Sequence, residues 1–212
     1  TVDFCKKTGT PEYRDREYIE CVGGAIMELM GGGGHDRSQW LSAREKYLDP
    51  ARPLSPCMDS VVPGEVKPQC LTYLTPRLWE LAGITLGRPQ PEKFARAFAY
   101  CDAIPHDTQH LRDSCFGGFG KEFIVLVGGR DVRDVASYSD AQYSMAIDWC
   151  TRSGAEDGQR ACIRDEVSSL FWGGENDPEA SFRFCGLVKP SLQDACYERL
   201  ASAIKSYTKG ES

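Results

Sequence analysis

An all-α fold is what this sequence predicts, and three observations predict it. Ten cysteines fall into five successive close pairs along 212 residues. An amphipathic run, with apolar residues three and four apart, surrounds or follows the second cysteine of every pair. Glycine follows each run, where a finished helix needs a left-handed cap residue. The expected architecture is about five antiparallel helical hairpins, each stapled by one disulfide. They would stack as an irregular solenoid or bundle within a single domain covering 1–212.

Composition narrows the class. Hydrophobic residues make up 41% of the chain, enough for a packed core. With 31 acidic against 25 basic residues, the formal net charge is -6. That balance argues against a nucleic-acid partner. No run of 18 apolar residues exists, so no membrane span is expected. No C-x-x-C is present, which removes the usual motif of zinc ribbons, thioredoxin-like chemistry and c-type haem attachment. A disulfide framework in an oxidising compartment remains. The chain is therefore expected to be secreted or periplasmic, a mature form with its signal peptide removed. A lone asparagine, Asn176, followed by Asp-Pro, leaves no N-glycosylation acceptor.

The elements follow in order. Intervening residues within the cysteine pairs number 15, 12, 13, 11 and 10, whereas the gaps between pairs are 35, 30, 34 and 22. Approximate repeats then span 1–34, 35–88, 89–134, 135–175 and 176–212. In the first, Thr10-Pro11-Glu12 reads as a helix start. Val22, Ile26 and Met30 form a stripe with Cys21, Ala25 and Leu29 beside it, ended by Gly31 to Gly34. In the second, a helix near Trp40 to Leu48 is cut off by Pro50, Pro53 and Pro56, and a helix carrying Leu71, Leu74, Leu78 and Leu81 stops at Gly83. In the third, Pro91 opens a run with Phe94, Phe98 and Cys101 on one face. Asp107 is placed to cap the next helix, with Leu111, Cys115, Phe119 and Phe123 in its stripe and Gly128-Gly129 after it. Within that stretch, Phe123 to Val127 is rich enough in β-branched residues to compete as a strand. In the fourth, Ser139 or Asp140 caps a run through Tyr143, Ile147 and Cys150, and Ile163, Val167 and Leu170 mark its partner, ended by Gly173-Gly174. In the fifth, Asp177-Pro178 opens a short helix with Phe182 and Cys185. Pro190-Ser191 opens the last, with Leu192, Cys196, Leu200 and Ile204.

Ten cysteines permit many connectivities. The repeat selects the sequential one: Cys5–Cys21, Cys57–Cys70, Cys101–Cys115, Cys150–Cys162 and Cys185–Cys196. Each such bridge would tie two antiparallel helices near their turn. The phrases Cys21-Val22-Gly23-Gly24 and Cys115-Phe116-Gly117-Gly118 read as relics of one repeat. This layout resembles disulfide-stapled helical-hairpin repeats, similar in architecture to Sel1-like and tetratricopeptide arrays. The resemblance covers residues 5 to 205 and implies a stacked helical surface used for partner binding.

Residues able to carry chemistry are few. His106 and His110 are four apart, a spacing at which one helical face can chelate a metal. They are the candidate metal ligands, and a metal-dependent enzyme or metal-binding protein built on them is the alternative function. His35 follows four glycines but lacks the lysine and strand of a phosphate loop, so a link between repeats is expected there. Asp131 with Asp134, and Glu175 with Asp177, are carboxylate pairs without a supporting motif, and Glu175-Asn176-Asp177 lacks the spaced ligands of a calcium loop. Trp40, Trp79, Trp149 and Trp172 occur about once per repeat, mostly as expected core. The leading expectation is an exported, non-catalytic binding, accessory or scaffold protein, acting on a protein partner through a helical-repeat surface. No cofactor and no catalytic residue are expected.

Overall fold

A computed structural model describes residues 2–10, 14–31, 37–85, 87–129 and 132–209, and its regular elements are all helical, with no strand among those residues. The helices are α1 (Val2–Cys5), α2 (Arg14–Gly31), α3 (Arg37–Tyr47), α4 (Lys67–Tyr73), α5 (Thr75–Leu81), α6 (Phe94–Asp102), α7 (Gln109–Leu126), α8 (Asp140–Cys150), α9 (Glu156–Gly173), α10 (Pro178–Leu187) and α11 (Pro190–Thr208). The stretch from Phe123 that competed as a strand is the last turn of α7, where Phe123 and Ile124 are buried as helix-face residues.

All ten cysteines are bridged in sequence order, with Cα atoms 5.4–5.7 Å apart. That spacing lies within the usual disulfide range. Four bridges join consecutive helices: α1 to α2, α6 to α7, α8 to α9 and α10 to α11. The fifth ties α4 to the proline-rich segment around Cys57, which forms turns rather than a helix. Proline at 50, 53, 56 and 63 denies that segment the donors and φ/ψ freedom a helix needs.

Local signals explain most ends. Ser139 caps α8 through a full capping box with Gln142. Asp177 caps α10 by accepting from the Glu179 amide at 2.9 Å. Gly83 after α5 and Gly129 after α7 hold φ of 76° and 66°, conformations natural to glycine. Two expectations are corrected. The leucine run of the second repeat is two helices, because Pro76 cannot supply the backbone donor that would continue α4, and the break falls at Leu74. Asp107 does not cap α7. It sits in a 3-10 turn, His106–Thr108, and the cap position is Thr108, whose side chain makes no capping bond. The Pro11-Glu12 helix start, most of the Gly31 to His35 link, and Asp131 lie outside the described residues.

The helices that carry the second cysteines pack on one another in chain order: α2 on α4, α4 on α7, α7 on α9, and α9 on α11. The closest approach, α7 on α9, is made by glycine. A Cβ on Gly120 would overlap the Cys162 carbonyl oxygen, one on Gly117 the Asp165 carboxylate, and one on Gly118 the Thr72 carbonyl oxygen of α4. The core beneath is aromatic. Trp79, Phe94, Phe98, Phe116, Phe119, Phe123 and Trp149 are all buried, with Phe98 and Phe119 centroids 4.3 Å apart and Phe94 and Phe123 4.7 Å apart. Arg112 is buried beside them and donates to the carbonyls of Cys101, Asp102 and Ile104, so it satisfies the C-terminal end of α6. Asp157 completes its charge at 3.1 Å. A smaller cluster of Cys5, Tyr18, Val22 and Val66 closes the N-terminal end.

Candidate functional site

Two of the concave places among the described residues bear on function. The first lies beside α2. Val22, Ala25, Ile26 and Leu29 stand at i, i+3, i+4 and i+7, the spacing of one helical stripe. Sequence reading placed this stripe against a core. The structure buries Val22 and Met30 and leaves Ala25, Ile26 and Leu29 partly buried along a groove of about 290 Å³. Tyr47 of α3 and Pro56 and Val62 of the irregular segment form the opposite wall. Trp40 fixes α3 here by donating its indole N–H to the Leu29 carbonyl at 3.0 Å. Arg44 stacks over the Trp40 ring and pairs with Glu80 of α5. Of the lining residues, Tyr47 is an exposed large apolar side chain, at 53%. An apolar concavity with an exposed apolar wall marks an interaction surface.

The second place is polar and lies where α7, α9 and α11 meet. His110, Asp113 and Ser114 come from α7, Arg164 and Asp165 from α9, and Arg199 from α11. Arg164 stands 3.9 Å from Asp113. Arg199 donates to Ser168 Oγ at 3.0 Å, but its Nε is buried with no partner. Burial pushes the Asp165 carboxyl above the ordinary carboxylate range, against the pull of Arg199 and Arg164. Room for that carboxylate exists because residue 117 is glycine.

The sequence-predicted ligands fare differently. His110, in the first turn of α7, is exposed and lines this cleft. His106, in the preceding 3-10 turn, is exposed and not among the lining residues. Among the described residues no three His, Cys, Asp or Glu side chains cluster as a metal site. Asp177 is engaged as a helix cap, and Asp134 is exposed on the 3-10 turn before α8. Of the tryptophans, Trp79 and Trp149 are core, Trp40 is half-buried, and Trp172 is exposed against Phe171 and Tyr207. Arg164, Asp165, Arg199 and Tyr47 carried no motif and were missed. The nearest signal was the Gly117-Gly118 pair, which marks where α7 lets its neighbours approach.

No helix among the described residues is long and apolar enough to cross a membrane. Comparison with known proteins finds no matching family model and no similar curated protein or solved structure. Five formed disulfides fit an extracellular or periplasmic protein.

Proposed function

We propose that this chain is an exported binding or accessory protein, without catalysis of its own, that captures a protein partner in the groove beside α2. One observation carries the reading. The stripe Val22, Ala25, Ile26 and Leu29 has helical spacing, and among the described residues Ala25, Ile26 and Leu29 keep part of their surface open in the groove. Every other helix with a second cysteine, apart from the last, is flanked on both sides by its neighbours in the stack, whereas α2 meets only α4 among them. A stripe of this kind accepts an amphipathic helix, whose anchors recur at the same spacing. The bridges Cys5–Cys21 and Cys57–Cys70 hold both walls before the partner arrives, which lowers the entropy lost on binding.

The test is selection of displayed helical peptides on the purified, oxidised protein. Selected peptides should carry apolar residues at i, i+3 or i+4, and i+7. Ala25→Glu puts a charge on the groove floor and should weaken their binding at least tenfold with the helical circular dichroism intact. Selected peptides that bind Ala25→Glu as tightly as the parent would refute the reading.

A further inference from the structure

We propose that the cleft between α7, α9 and α11 binds a small zwitterion, one ammonium and one carboxylate on a short spacer, such as a free α-amino acid. The cleft is separate from the groove beside α2 and stands independently of that function. The inference begins with two polar groups that the fold leaves unmatched. Asp165 accepts no hydrogen bond among the described residues, although it is set deep enough for burial to act on its carboxyl. Arg199 lines the same cleft with its Nε buried and unpartnered. Buried polar groups are nearly always satisfied; the Arg199 Nε is an exception that calls for a missing partner, and the partly buried Asp165 shares its cleft. These two are opposite in sign and do not satisfy each other. The missing partner must then offer a donor to Asp165 and an acceptor to Arg199.

The surrounding charges select among ligands. Arg164 is held only loosely, 3.9 Å from Asp113, so its donors remain free to meet a carboxylate beside Arg199. A simple anion would gain from these cations but would face Asp113 and Asp165 on the same walls. A simple cation meets the reverse difficulty. A molecule carrying both charges satisfies both sets. The cleft, about 220 Å³, is smaller than sites for drug-sized ligands, and apart from the His110 imidazole its lining carries no aromatic ring and no large aliphatic residue. It therefore reads charged head groups rather than an apolar body. Gly117 keeps the floor open, because a Cβ there would occupy the space of the Asp165 carboxylate.

The experiment is a titration of the intact, oxidised protein followed by amide chemical shifts, with glycine, acetate and methylammonium as separate probes at matched ionic strength. Glycine should give saturable shifts centred on α7, α9 and α11, at least tenfold tighter than either half-probe. Asp165→Asn and Arg199→Met should each weaken glycine binding tenfold or more. Acetate binding as tightly as glycine would make this an anion site and overturn the proposal. So would shifts that fail to saturate for all three probes. The probe comparison on the parent protein decides the matter even if a variant fails to fold.

Discussion

Glu166 sits in the middle of α9 with no solvent exposure and with neither carboxylate oxygen hydrogen-bonded among the described residues. Burial alone pushes its carboxyl well above the ordinary glutamate range. The folded protein therefore holds Glu166 protonated at a pH where the unfolded chain would ionise it. Stability is fully present below the unfolded value and is lost as pH rises from there through the raised folded value, at about 1.4 kcal/mol per pH unit while the two states differ by one proton. Glu166→Gln cannot ionise and keeps the shape. As pH rises above the ordinary glutamate range, its melting temperature should fall less than that of the parent, the raised Asp165 carboxyl acting on both, and parallel thermal melts check it. Arg112 is the contrasting case, a buried charge that is fully engaged by α6 carbonyls and Asp157. Neither role was legible in the sequence, because a carboxylate or guanidinium on a helix reads as surface until the neighbouring helices are in place. His106 and His110 show the same limit from the other side. Their spacing was visible, but the 3-10 turn that separates their directions was not.

At the scale of elements, close helix approach is set by a few glycines. On α7, Gly117 and Gly120 meet α9 and Gly118 meets α4, so three of four consecutive positions lack a Cβ where a backbone or carboxylate stands. Gly23 does the same for Gln69 at the α2–α4 contact. Gly23 and Gly117 are each two residues past a bridged cysteine, and each faces the next helix in the stack. The shared phrase in the sequence thus has a shared packing job. Gly120→Ala must move α7 away from the Cys162 carbonyl and should cost about 1–3 kcal/mol as overpacking does. Gly24→Ala has no neighbour within 4 Å and should be neutral or stabilise α2 by roughly 0.5–1 kcal/mol, the ordinary helix-propensity gain. Urea denaturation of both variants separates the two effects. Helix type and most ends were legible because caps and periodicity are local. The break between α4 and α5 was not, because the leucine stripe continues across Pro76 and masks the missing backbone donor.

For the whole molecule, the five bridges do not share one function. Cys185–Cys196 joins two helices that also pack on each other and on α9. Cys57–Cys70 instead anchors the segment between α3 and α4, which forms no helix until the turn at Gly64–Val66. That segment supplies Pro56 and Val62 to the groove beside α2. The sequential pairing was legible from the close spacing of the cysteine pairs, but this division of labour was not, since it depends on where the irregular segment lands. Sequence separations of 13 and 11 give the two bridges nearly equal chain-entropy contributions, about 3 kcal/mol each. For a chain of this length each loss corresponds to roughly 6–12 °C in melting temperature. The double variants Cys57→Ser/Cys70→Ser and Cys185→Ser/Cys196→Ser should therefore fall in melting temperature by similar amounts. Their binding should part company. Freeing the irregular segment adds its ordering entropy to every binding event at the groove, so the first variant should lose groove-directed peptide binding at least tenfold. The second, whose bridge is remote from α2, should bind like the parent. Thermal melts and peptide titrations on the two variants test both halves, and equal loss of binding in the two would show that the groove wall does not depend on Cys57–Cys70.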